Sequence, residues 1–120
     1  MAMAGVIAIV AFLAVAVTAL GMLFAARTQA TIAADAAALA AAVATYPPAG
    51  SAMDPGQAAG RVAMANGARL VECLCPRNAG LVARTVEVMT AVAVDVPVFG
   101  AITVRSVARA EFDPVMWLGR

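Results

Sequence analysis

The chain has 120 residues, 64% of them hydrophobic and 12% charged, with no histidine and a net charge of +1. Soluble domains carry about 25% charged residues, so this composition excludes a surface solvated all round. A charge of +1 leaves no basic footprint for nucleic acid, and the lack of histidine removes the commonest general base and metal ligand at once.

From Met1 to Ala26 there is no ionisable side chain; the first is Arg27. A spanning helix needs about 20 apolar residues, whereas the apolar core of a cleaved signal runs to about 7–15. Residues 1–26 are therefore read as the transmembrane half of an N-terminal helix. Its circumference is uneven. Val6, Val10, Leu13, Val17, Leu20 and Phe24 recur at spacings of three and four, so they line one bulky face. Ala4, Ala8, Ala11, Ala14, Thr18, Gly21 and Ala25 form a small-residue stripe roughly opposite. Such stripes let helices pack closely in a bilayer, where dispersion replaces the hydrophobic drive. An Ala-rich chain also produces small stripes by chance, and the matching bulky face favours helix packing.

Ala-rich sequence carries the helix past the membrane, because no Gly or Pro follows Arg27 until Pro47-Pro48. A helix from about Ala4 to Thr45 would span ~60 Å at 1.5 Å per residue. Residues 27–46 are its protruding half. Arg27, Thr28, Thr31 and Asp35 mark a polar side, and Ile32, Leu39 and Val43 an apolar side expected to pack on the domain. Residues 47–120 are expected to form a small domain outside the bilayer.

Pro47-Pro48-Ala49-Gly50-Ser51 reads as a hinge. Asp54 as N-cap, Pro55 in the first helical position and Gln57 in a capping-box position start a second helix, which Asn66-Gly67 stops. Ala58, Ala59, Val62, Ala63 and Ala65 give this helix a modest apolar surface, and Gly60 fits close approach to the first helix or chance. A short strand follows at Leu70–Cys75, ended by Pro76 and an Arg77–Gly80 turn. Arg84–Val96 then alternates with period two: Val86, Val88, Val92, Val94 and Val96 face inward, Thr85, Glu87 and Asp95 outward. After Pro97–Gly100, Ile102–Ala110 repeats the pattern. The expected fold is α+β: a long membrane-spanning helix, a short second helix, and a three-stranded antiparallel meander packed on both.

Little in the chain supports chemistry. Cys73 and Cys75 are too few for a zinc site and have no base to activate them. A bridge between the two would close an unusually small ring from a strand geometry that holds their side chains parallel. Two readings therefore stay open: two small half-buried residues, or an exchange-prone or intermolecular disulfide formed outside the cell. The carboxylates Asp35, Glu72, Glu87, Asp95, Glu111 and Asp113 lie scattered on solvent faces. The expectation is no catalytic residue, no cofactor, no metal and no enzyme activity.

The uncharged helix running through Arg27-Thr28-Gln29-Ala30 into Ala33-Ala34-Asp35-Ala36-Ala37-Ala38-Leu39-Ala40 resembles the TadE/TadG-like proteins of tight-adherence (Tad) pilus systems. Ala63–Leu70 followed by Cys73, and the closing Val104–Ala110, are similar to the actinobacterial TadE-like subgroup. The resemblance implies a minor pilin or pseudopilin with its N-terminus in the cytoplasm and its domain outside. Its implied partners are other pilin-like subunits, met through the N-terminal helix, the Tad secretion ATPase and platform machinery, and the lipid bilayer. Processing by a prepilin peptidase is also implied, but the chain departs from that pattern. Gly5 is followed by Val10 where a Glu is usual, so either the start lies upstream or no such cleavage occurs. Gln57 stands about where the subgroup often carries a further Cys, so its usual bridge is not carried over. The rival reading is a single-pass tethered binding module outside any filament, in which the small stripe would have no use.

Overall fold

The computed structural model describes residues 1–48 and 53–119; the Ala49–Ser51 part of the expected hinge lies outside them. The first helix, α1 (Ala2–Ala44), is one unbroken element of 43 residues and sets the longest dimension of the chain, 74 Å. It ends where Pro47 and Pro48 could no longer donate to its ladder. Thr45 closes it, with its Oγ1 donating to the Ala42 carbonyl at 2.6 Å.

α2 (Pro55–Ala65) starts on Asp54, whose carboxylate accepts from the Gly56 N–H at 2.9 Å. That local bond is the cap observed; the Gln57 side chain is exposed. At the other end Gly67 takes φ +77°, the Ala68 N–H reaches the Ala63 carbonyl at 2.9 Å and the Gly67 N–H that of Met64 at 3.0 Å. This pair of bonds is a Schellman stop, which satisfies carbonyls the helix would otherwise orphan. Gly67 also lies against α1, where the Gln29 amide donates to the Asn66 and Gly67 carbonyls at 3.3 and 3.4 Å. A Cβ at position 67 would collide with that amide. Gly67→Ala is therefore expected to destabilise the chain by about 1–2 kcal/mol, the usual cost of the left-handed conformation for an L-residue, and more if the Gln29 bonds break. Thermal denaturation in detergent, compared with wild type, measures it.

Three strands, β1 (Arg69–Leu74), β2 (Arg84–Val96) and β3 (Gly100–Phe112), form the antiparallel meander in the order β1-β2-β3. The β2–β3 ladder is in register from Arg84–Phe112 to Val96–Gly100. A register shift between Leu70 and Glu72 re-phases β1, so that Leu70 and Cys73 both turn toward the core. A short helix not anticipated from sequence, α3 (Pro114–Leu118), closes the chain, capped by Asp113 through the Val115 N–H at 3.0 Å.

The core is built on alanine. Ala34, Ala37, Ala38, Ala41 and Ala42 of α1 meet Ala59 and Ala63 of α2 and Val86, Val88, Ala108 and Phe112 of the sheet. Lower down, Ala26, Ala30 and Ala33 meet Ala68 and Val92. This corrects the expected orientation of α1: Ile32, Leu39 and Val43 are exposed and do not face the domain. Methyl side chains let the sheet and α2 come closest to the helix axis, so the alanine face gains more contacts than the bulkier one could. Val86 and Val88, fully buried against it, contribute roughly 1.5–3 kcal/mol each. Gly60 does not mark the α1 contact, since a Cβ there would meet only Leu70 at an ordinary 3.8 Å.

Candidate functional site

Among the described residues no three Cys, Asp or Glu side chains converge on a metal-sized site. The one ion pair observed there is Arg109–Glu87 at 2.7 Å, on the outer face of the sheet. What the structure offers instead is surface along α1.

Three faces run along the helix. At 3.6 residues per turn, the bulky row from Val6 to Phe24, the small stripe from Ala4 to Ala25 and the row taken by the domain (Ala19, Ala26, Ala30, Ala33, Ala37) lie roughly a third of a turn apart. The small stripe therefore stands to one side of the bulky row and not opposite it. Periodicity alone separated the first two. The third was missed because its alanines carry no contrast with the alanines around them.

Every member of the small stripe, Ala4, Ala8, Ala11, Ala14, Thr18, Gly21 and Ala25, is exposed. Met1–Val15 are exposed at every position, with the β2–β3 turn bordering Ala11, Phe12 and Val15. The informative positions are those beyond, where the domain has chosen its face and left Thr18, Gly21 and Ala25 uncovered. A Cβ added at Gly21 would meet nothing within 4 Å in the chain itself. The Thr18 hydroxyl donates back to the Ala14 carbonyl at 2.8 Å, which spares the apolar surroundings an unpaired donor. Above Ala25 the same line of the helix continues through Ile32, Leu39 and Val43, at spacings of seven, seven and four residues. It ends beside Met116 and Trp117 of α3, which share an open groove with Val43. Small below and bulky above, this strip is exposed along nearly the whole of α1, with no partner among the described residues.

The domain end of the strip is braced by aromatic and polar contacts. Tyr46, Phe112 and Trp117 form an aromatic cluster with ring centroids 6.0–6.5 Å apart. Arg84, only 8% exposed, sits 5.7 Å from the Tyr46 ring centre. Its guanidinium donates to the carbonyls of Thr45, Asn78, Gly80 and Val82. Thr90 does similar work at mid-helix: its buried hydroxyl donates to the Ala30 carbonyl at 2.7 Å. Both residues occupied inward positions of an alternating strand and could have been flagged as buried polar groups on that ground.

Cys73 and Cys75 lie at the end of β1, with their sulfur atoms in bonding contact and Cα atoms 5.4 Å apart. β1 ends at Leu74, so Cys75 is free of the strand geometry that would hold the two side chains parallel.

Residues 1–44 match the model of a family described as putative Flp pilus-assembly TadE/G-like. The match begins at Met1 and ends at Ala44, the last residue of α1. No curated protein matches the chain, and no solved structure does.

Proposed function

We propose that this chain is a minor pilin or pseudopilin-like structural subunit of a Tad-type pilus or secretion apparatus, working through helix packing and not through catalysis. The observation that carries this reading is the open strip on α1. The domain packs on a separate alanine face and leaves a strip of small, then bulky, residues free along the same segment that matches the pilus-assembly family. A plain tether has no need of a second packing face.

In this reading residues 1–26 contain the membrane-spanning part, residues 27–46 carry the helix out of the bilayer, and residues 47–120 complete an extracytoplasmic domain. Other pilin-like subunits dock along the small stripe, and the secretion ATPase and platform protein drive assembly from the cytoplasmic side. Cys73 and Cys75 stand as a disulfide, which an oxidising compartment outside the cytoplasm preserves.

Crosslinking tests the reading. With Cys73 and Cys75 changed to Ser, Leu39→Cys on the strip is expected to give a covalent product with a neighbouring pilin-like chain in native membranes. Arg109→Cys, on the outer sheet face, should give little. Equal yields at both positions would remove the support for a filament subunit and favour a membrane-tethered binding module. Topology is checked separately. After reduction, an impermeant thiol reagent should label Cys73 and Cys75 of the wild-type chain in intact cells, and labelling only after permeabilisation would reverse the orientation.

A further inference from the structure

The β2–β3 hairpin does not stop where the helix is expected to leave the membrane. Thr90 bonds the Ala30 carbonyl, and Ser106 lies 3.2 Å from the Thr31 hydroxyl, so this level of the hairpin is fixed opposite Ala30. From there β2 runs on to Val96, about 20 Å at 3.3 Å per residue, toward the N-terminus of α1. Ile102 and Phe99 border an open groove with Ala16, Ala19, Leu20 and Leu23. Val98 and Phe99 border another with Ala11, Phe12, Val15 and Ala16. The tip therefore lies beside the segment that is long and apolar enough to cross a membrane.

Its composition suits that place. Between Ala91 and Val104 the one ionisable side chain is Asp95. Val98 and Phe99 project from the turn, 88% and 70% exposed. Val98 is also the one described non-glycine residue with positive φ, at 73°. A β-branched residue resists that conformation, yet it stands where a type II turn would favour Gly. Strain of this kind tends to persist where the side chain has a use.

Asp95 fixes the depth. Its neighbour Val94 borders a groove shared with Met22, Ala25 and Gln29, and its own ladder partner is Ala101. Five residues of strand past Thr90, about 16 Å, bring Asp95 to about the level of Leu20, roughly ten to eleven residues of helix below Ala30. A carboxylate at mid-bilayer costs roughly 2.5–3.5 kcal/mol, so the hydrocarbon edge falls near this level, at about Leu20. The residues from Met1 to Leu20 then supply about 30 Å, one hydrocarbon thickness. Phe12 to Ala16 lie about 6–12 Å below that edge, within the outer leaflet. A shallow position also suits the backbone, because the free edges of β2 and β3 near the turn could not be left unpaired deep in lipid.

We propose that Pro97-Val98-Phe99 is a second membrane contact, a hairpin tip seated among the outer-leaflet acyl chains beside the α1 anchor. It rests on the reading of α1 as a membrane span. The tip fixes how far the domain stands above the bilayer and how α1 is turned within it.

The test uses tryptophan reporters in the full chain with Trp117→Phe, reconstituted at high dilution in phosphatidylcholine vesicles carrying bromine at shallow or deep acyl positions. Phe99→Trp should lose roughly half its emission or more to shallow bromines and less to deep ones, as an outer-leaflet position requires. Val98→Trp serves as a second tip reporter, and Ile9→Trp, midway along the anchor, should respond most to deep bromines. Quenching at Ile9→Trp with none at either tip reporter would overturn the proposal and leave the anchor intact. Failure at all three positions would overturn the membrane span as well.

Discussion

Gly21→Leu is expected to abolish most assembly while leaving membrane insertion and the folded domain intact. Inside the chain the substitution has room, since a Cβ at Gly21 meets nothing within 4 Å, and Leu is at least as favourable as Gly in a bilayer. Any loss must then arise between chains. Thr18, Gly21 and Ala25 allow a neighbouring helix its closest approach, and an isobutyl group would hold the backbones apart. Small residues at a helix interface are what let backbones pack closely in a bilayer, so crosslink yield from Leu39→Cys should fall about tenfold, equivalent to ~1.4 kcal/mol. Leu13→Ala, on the bulky face, should change it far less. Unchanged crosslinking in both variants would reduce the small stripe to alanine bias.

Arg84→Met is expected to be the most damaging single substitution in the domain. The Arg84 guanidinium bonds four backbone carbonyls, and among the described residues no carboxylate pairs with it, so oriented peptide dipoles and the Tyr46 ring surround its charge. Removing it strips the donor from carbonyls on the 76–83 loop and leaves the Thr45 carbonyl at the end of α1 with the Asn78 N–H alone among the described residues, at 2.8 Å. An unsatisfied buried polar group costs about 1–3 kcal/mol, and the loop's own exposure limits the total to a few such terms. A loss of roughly 2–3 kcal/mol would lower Tm by on the order of 10 °C. Arg84→Lys should rescue little, because an ammonium is a point donor and cannot fork to carbonyls on several sides. Arg109→Ala is the control. It removes an exposed ion pair worth about 0–1 kcal/mol. Calorimetry in detergent, with trypsin cleavage at Arg77 as the reporter for the loop, measures all three. Wild-type stability in Arg84→Met would show that water replaces the guanidinium at no cost.

Residues 1–44 matching a pilus-assembly family fit the resemblance read from Arg27–Ala40, and the fold has the expected α-α-β-β-β order with one short helix added. The agreement has a local origin. Unbroken alanine sequence up to Pro47-Pro48 makes one long helix, Asp54-Pro55 and Asn66-Gly67 bound the second, and alternation from Arg84 to Val96 makes a strand whose limits fell where expected. Each of these signals acts within a few residues of itself, so it can be read without knowing what lies across the core.

The choice of buried face on α1 was not legible in that way. Alanine occurs on every side of the helix, so its hydrophobic pattern has almost no direction, and the larger Ile32, Leu39 and Val43 look like the better core. Only the packed structure shows that the sheet and α2 seat on the methyl groups of Ala30, Ala34, Ala37 and Ala41, where close approach yields more dispersion contact than bulk would. The same assembly decides that Arg84 is enclosed by carbonyls from a loop and a helix end. It also decides that Cys75, released from β1, can meet Cys73, and that the hairpin tip reaches the level of Phe12. Sequence by itself determined the two long-signalled helices and the three strands, with β2 bounded to the residue, because hydrogen-bonding propensity and capping are short-range. β3 runs two residues further at each end than its alternation suggested, and α3 was not foreseen. Tertiary structure decided which surface each element leaves open, because that depends on distances between residues far apart in the chain.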